Sequence, residues 1–465
     1  MWLALGFAAM IAAAPAPAQL AMPAPAQLVL PAPLADPRAI DFASDPVLAF
    51  NSSGTDNGDF DAAIAAAVTR HPRRAEAQAG IHVADSGRRE VRAALFPTVS
   101  ASISGSRSLA RDFVDTSAAV ERLLPRGRAD AGLGADQLLF DFGATSARIA
   151  GAAALRRGAG ADADAVATAF GLDAVTVWYQ VTGFQALTEL TDALVARHRA
   201  ILVDTEARVV AGVGAGGDIV RAQASLADAI GEAARTARSL VAARAQFRER
   251  FGVEAPLRPL RPAPAAFAAA SADAAIGQSH GVPVIAIADA AADAAAAEAR
   301  AVRRDALPRL SAGVMATRFN VLDPGPNYDV RGQFSLRQSL SLGGADAART
   351  AAADARRRAA AAAAATARLE AERDAAIAFA DARILDTALA VLDDAYRANR
   401  RNRDITAEQF RQSRGSLIDL LRTEGDYFAA ARALLLGGIE RDLSRYALLA
   451  RTGGLLAHFA IPSGN

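Results

Sequence analysis

The chain has 465 residues, with 51 basic side chains against 50 acidic ones and a net charge of +1. So even a balance gives no global field to gather nucleic acid or acidic substrates. Cysteine is absent, which excludes disulfides, a thiolate nucleophile and cysteine metal sites. Every basic residue is arginine, a bias that GC-rich coding explains.

In chain order, residues 1–18 read as a secretory signal, apolar from Met1 to Ala14 and then small at Ala16-Pro17-Ala18, where cleavage would fall. Residues 19–58 are rich in proline and alanine and read as a flexible leader. A first helical segment is expected from about Phe60 to Leu95. After Pro97 the pattern alternates: Thr98, Ser100, Ser102, Ser104 and Ser106 share one face, and Val99, Ala101, Ile103 and Gly105 share the other. Ala129, Ala131, Leu133, Ala135 and Leu139 mark a second, weaker strand. From Ala144 to Ala211 there is no proline, which predicts one very long helix. Glycines between Gly212 and Gly217 form a turn, and a shorter helix follows from Asp218 to Phe251. Residues 253–270 are a Pro/Ala-rich linker.

The order then repeats. A helix is expected from Ala272 to Leu307, strands around Leu310–Ala316 and Val330–Leu340, a long helix from Ala345 to Arg414, a shorter one from Ser416 to Ala450, and a tail over 454–465. Gln137-Leu138-Leu139-Phe140-Asp141-Phe142-Gly143 aligns with Gln338-Ser339-Leu340-Ser341-Leu342-Gly343-Gly344 at an offset of 201. At the same offset Arg148 meets Arg349, Gly214 meets Gly415, and Asp218 meets Asp419. Upstream the offset is 211, where Pro97 meets Pro308 and Arg107 meets Arg318. The chain is thus an internal duplication, with repeat 1 over 59–252 and repeat 2 over 271–453.

Strands of about ten residues with an apolar and a polar face are long enough to cross a bilayer when tilted. No stretch beyond the leader offers about 18 uncharged apolar residues, so no membrane-spanning helix is predicted. Four strands cannot close a barrel, for which roughly eight is the minimum. If they span a membrane, several copies of the chain must share one barrel. At 1.5 Å per residue each long helix reaches roughly 100 Å, and two shorter helices stacked end to end match that length. Chain order would then put the strands at one end and the glycine turns at the other.

Catalytic signatures are missing. There is no HExxH, no G-x-S-x-G and no P-loop, and the five histidines have no ligand spacing. Gly212, Gly214 and Gly217 fit GxGxxG, but a helix rather than a strand precedes them, so an inter-helix turn explains them better. No metal, cofactor or enzymatic activity is expected. Asp218 and Asp419 open their helices, where carboxylates cap N–H groups and suit the helix dipole. In an oligomeric tube the same residues would ring the closed end and favour cations.

These features together resemble the TolC-like outer-membrane efflux family. The resemblance is carried by His71-Pro72, Leu95-Phe96-Pro97 and Ala306-Leu307-Pro308 before the strands, by the two glutamine-led motifs after them, and by the turns at Gly212/Asp218 and Gly415/Asp419. It implies a mainly α fold with a transmembrane β part: a coiled-coil-like α-helical barrel, and a homotrimer whose sets of four strands close a 12-stranded β-barrel. It further implies an outer-membrane location with a periplasmic extension, contact with outer-membrane lipid, and docking to a periplasmic adaptor (membrane fusion protein) and an inner-membrane ABC or proton-driven transporter. No nucleic acid is implied. Asp218 and Asp419, with Arg221 and Arg422 one turn later, are the aperture positions the resemblance points to. Some relatives carry a second acidic residue where Arg422 stands. The C-terminal stretch from Arg414 to Leu421 looks slightly more like components of type I protein secretion, with small-molecule efflux close behind. The other reading, from a different class, is a non-conducting periplasmic coiled-coil scaffold.

Overall fold

A computed structural model describes residues 28, 30–52, 58–110, 127–257, 261–321, 325 and 327–463. The expected signal segment lies outside the described residues. The chain divides into two compact units, and neither unit is a repeat. The first takes residues 1–71, 167–279 and 374–462; the second takes 72–166, 280–373 and 463–465. Each draws on both copies of the duplication.

The second unit holds the strands. Its sheet is antiparallel in the order β1 (Thr98–Arg107), β2 (Gly127–Phe140), β3 (Arg309–Arg318) and β4 (Tyr328–Arg337). Period-two alternation gives each strand two faces, and the register decides whether these faces agree between strands. Ile103 lies opposite Ala131, Leu133 opposite Ala316, Val314 opposite Gly332, and Ala312 opposite Phe334. On the other side Ser102 meets Gly132, Asp136 meets Gly313, and Met315 meets Arg331. One apolar face therefore runs across all four strands, and it is bare: Ile103 is 85 % exposed and Phe334 80 %. β1 and β4 form the two edges.

Helix α3 (Pro72–Ala93) leads into β1 and buries none of its residues. Helices α4 (Ala144–Val210) and α8 (Ala345–Arg411) follow β2 and β4, and each is one continuous helix of 67 residues. Within this unit α7 (Pro283–Asp305) lies between the first parts of the two long helices. Alanine and glycine permit the close approach, since a Cβ added at Gly158 would stand 3.2 Å from Ala290. Ion pairs fasten both sides, Arg157 to Asp293 at 2.7 Å on one and Arg368 to Asp289 at 2.5 Å on the other.

The first unit holds the principal core. Helix α2 (Gly58–Arg70) buries Phe60, Ile64, Ala67 and Val68, the spacing of one helical face. Phe60 sits edge-on to Trp178, Tyr179, Tyr446 and Phe459 at centroid distances of 5.2–6.1 Å. Such edge-to-face pairs add to the area each ring buries. Trp178 and Tyr179 come from α4. Tyr446 comes from α9 (Leu417–Arg451), and Phe247 is supplied by α5 (Gly216–Phe251). The linker is fixed here too, as Tyr179 donates its hydroxyl to the Pro262 carbonyl at 3.3 Å.

Three expectations are corrected. The helices expected over Phe60–Leu95 and Ala272–Leu307 are each broken, at Pro72 and at Pro283, which open α3 and α7. Proline has no N–H to continue a ladder and clashes with the preceding turn, but it suits a first helical position. The break in repeat 2 leaves a short helix, α6 (Ala272–Ser279), before it. Second, the leader is not loose over 30–52. It leads into α1 (Pro46–Ser52) and is held by arginines of α8. Asp45 is fully buried, caps α1, accepts from the Tyr396 hydroxyl at 2.8 Å and pairs with Arg400. Arg403 reaches the Pro31 carbonyl at 3.0 Å, and Phe42 lies under the guanidinium groups of Arg397, Arg400 and Arg401. Third, the expected tail packs inward. It forms α10 (Leu455–His458) and buries Leu455, Phe459 and Ile461.

Arg261 joins three of these segments. Its guanidinium pairs with Asp442 at 2.8 Å and donates to the carbonyls of Phe50 at 2.7 Å and Gly438 at 3.1 Å. Both charges are buried, so each depends on the other. Replacing Asp442 by Ala is expected to cost about 3–5 kcal/mol, because it strands the Arg261 charge in the core. Asp354→Ala, at the exposed pair with Arg303, is expected to cost less than about 1 kcal/mol. Denaturant midpoints of the two purified variants would check this; equal losses would contradict it.

Candidate aperture at the helical turns

The turns that join the long helices to α5 and α9 have the same backbone. After α4, the Gly212 N–H bonds the Val209 carbonyl and the Val213 N–H bonds the Arg208 carbonyl, both at 3.0 Å. After α8, the Ser413 N–H bonds the Phe410 carbonyl at 3.0 Å and the Arg414 N–H bonds the Gln409 carbonyl at 2.8 Å. This is the Schellman arrangement, which needs one left-handed residue. Gly212 supplies it with φ +74°, and Ser413 takes the same role with φ 58°. The GxGxxG spelling in the first copy thus ends a helix and cradles no phosphate.

Asp218 and Asp419 each stand in the first turn of the next helix. The Asp218 carboxylate accepts from the Ala215 N–H at 3.4 Å and from Arg221 at 3.2 Å. Asp419 accepts from the Ser416 hydroxyl at 2.7 Å and returns its own N–H to that hydroxyl at 3.1 Å. Arg422 approaches Asp419 at 3.8 Å. Each Asp–Arg pair is therefore local to one turn of one helix, and no contact among the described residues joins the two pairs. All four side chains remain partly or largely exposed, with Asp419 at 57 % and Arg422 at 65 %.

Sequence reasoning missed the residue that ties the two turns together. Arg208, in the last turn of α4, donates to the Phe410 carbonyl at 2.9 Å and to the Ser413 hydroxyl at 3.0 Å. Its guanidinium also lies 4.4 Å from the centre of the Phe410 ring. The equivalent position in the second copy is Gln409, so the clasp has one direction. That break in the duplication was the available signal. Deeper in the same unit, Arg197 pairs with the buried Glu424 at 2.7 Å, and Ser225 meets the His198 ring at 3.1 Å. Burial holds His198 below the ordinary imidazole value, so it packs as a neutral ring. The stability it contributes is present above that ordinary range and is lost as pH falls through it.

The fold is thus an amphipathic four-stranded sheet, its two edges unpaired among the described residues, with a 67-residue helix after each strand pair. Residues 63–253 match the family described as outer membrane efflux protein. No curated protein matches the sequence. Among solved structures, the outer-membrane channel OprN is similar with a TM-score of 0.75 and 22 % identity, over 84 % of this chain and 89 % of that one. VceC of Vibrio cholerae is similar with a TM-score of 0.74 and 17 % identity, over 84 % and 95 %. The open-state MtrE channel of Neisseria gonorrhoeae is similar with a TM-score of 0.70 and 20 % identity, over 85 % and 89 %.

The left-handed turn gives a simple contrast. No atom would meet a Cβ at Gly212 or at Gly216, but only Gly212 has positive φ. Gly212→Ala is expected to cost about 1–2 kcal/mol through backbone strain alone. Gly216→Ala, at the start of α5, is expected to be neutral or to stabilise by up to about 1 kcal/mol. Thermal midpoints of the two variants would check the pair.

Proposed function

We propose that this chain is one subunit of a passive exit duct in the outer membrane, a homotrimer whose four-stranded sheets close one barrel around a shared pore. One observation carries the reading: the register sets Val99, Ile103, Leu133, Val314, Val330 and Phe334 on the same exposed face. Water would not be met by such a surface in the folded protein, whereas hydrocarbon would. The opposite face, with serines, Asp136, Gln333 and Arg331, would line water. The two edges would be closed by neighbouring copies, because unpaired backbone groups are not tolerated in lipid. A non-conducting scaffold does not account for a lipid-matched face.

The sequence has no P-loop, and the driving force is assigned to partners: a periplasmic adaptor and an inner-membrane ABC or proton-driven transporter. The family description supports efflux as the branch, and the stretch from Arg414 to Leu421 keeps type I protein secretion as the second. Asp218 and Asp419 are proposed to face the resting aperture, with Arg221 and Arg422 setting how much negative charge they present there. Their capping bonds support a double role, in which the same carboxylates hold the turns and meet passing ions.

Purified protein in planar bilayers is expected to conduct. A pure oligomer that never forms channels would overturn the duct reading. Replacing Asp218 and Asp419 together by Ala is expected to weaken block by divalent cations or to raise resting leak, and to cost about 0.3–1 kcal/mol for each carboxylate lost from a first helical turn. Unchanged block and leak, with the stability loss alone, would reduce both residues to caps.

A further inference from the structure

Beside β3 and β4, the second unit contains a cavity of about 650 Å³ whose wall carries four arginines, Arg309, Arg337, Arg349 and Arg356, against two aspartates, Asp305 and Asp346. Both aspartates are already engaged. Asp305 pairs with Arg309 and also with Arg148. Asp346 pairs with Arg349 at 3.1 Å and accepts the Ser341 N–H at 3.1 Å. Arg337 and Arg356 have no carboxylate partner among the described residues. The rest of the wall is partly apolar, with Leu138, Val302, Leu307 and Ala353. The register puts Arg309 opposite Arg337 and Leu138 opposite Ser311, so the cavity opens on the sheet's polar face.

The duplication supplies an internal control. At the repeat offsets, Arg337 corresponds to Asp136, Arg356 to Leu155 and Arg309 to Thr98. The first copy builds the same sheet-to-helix connection without these arginines, so the fold does not require them. Two uncompensated guanidinium groups beside an apolar wall match one kind of ligand. A carboxylate or sulfonate takes the paired N–H donors of arginine, and an attached ring or chain covers the apolar side.

We infer that this cavity binds amphipathic organic anions, and that such anions are held at the pore face as they pass. The second half of that statement rests on the duct reading; binding itself does not. The probe is 2-naphthalenesulfonate, followed by its own fluorescence, with uncharged 2-naphthol as comparison, on the full-length oligomer in detergent. The sulfonate is expected to bind at least about tenfold more tightly than the naphthol. Arg337→Gln combined with Arg356→Gln is expected to weaken the sulfonate by at least about tenfold, near 1.4 kcal/mol, and to leave the naphthol unchanged. Both side chains are exposed and unpaired, so the variant should fold normally. Arg331→Gln, on the same sheet face but paired with Asp329, should bind as the original protein does. Equal binding of sulfonate and naphthol, or an unaltered double variant, would overturn the site. In bilayers, the sulfonate should reduce current through the original protein and not through the double variant. A protein that binds the sulfonate but never conducts leaves the site standing and removes the duct; one that conducts without binding does the reverse.

Discussion

A strand edge cannot lie bare in hydrocarbon, because each unpaired N–H or C=O there costs on the order of several kcal/mol. This chain makes a four-stranded sheet whose edges, β1 and β4, have no partner among the described residues. Its outward-turned apolar face makes the same demand in a second way, since water would meet Val99, Ile103, Val330 and Phe334 at high exposure. One sheet satisfies neither demand alone. Copies joined edge to edge satisfy both, because the register that aligns the faces within one sheet would align them around a ring. The duplication supplies two hairpins per chain, and the number of chains must supply the rest.

A different balance applies in the first unit. Alanine-rich helices bury little area per residue, so the core gains from its few large rings and from charges that recur at buried positions. Asp45–Arg400, Arg261–Asp442 and Arg403–Asp404 each lie almost wholly out of water. Ion pairs of this kind add little net stability compared with apolar packing, but breaking one is costly. Their effect is to specify position: the segment over 30–52 and the linker are each held where one arginine finds its carboxylate or carbonyls. Arg208 does the same on a smaller scale at the turns.

Much of the local structure was legible in the sequence. The strand faces followed from alternation between Thr98 and Ser106, the long helices from the absence of proline after Ala144 and Ala345, and the turns from Gly212 and Gly415. The breaks at Pro72 and Pro283 were legible as well, but the helical composition on either side outweighed a single residue. Contacts distant in sequence were not legible. Nothing near Asp45 announces Arg400, and a Pro/Ala-rich leader looks alike whether it is loose or pinned. At the aperture the sequence located Asp218 and Asp419 and could not decide between a cap and a ring. The local bonds account for their place in the helix, and among the described residues each carboxylate pairs only with the arginine one turn on, in a partly exposed setting.

The central claim is that the open edges of β1 and β4 meet between copies and that three copies complete the ring. The absence of cysteine makes this directly measurable. Ser102→Cys in β1 can be combined in turn with a cysteine at each polar-face position of β4, such as Gln333→Cys or Ser335→Cys, and the protein oxidised in native membranes. The account predicts that at least one pair cross-links efficiently and that the covalent ladder ends at three chains. A ladder that ends at two or runs past three, or cross-links absent at every β4 position while the protein remains folded and membrane-bound, would contradict it.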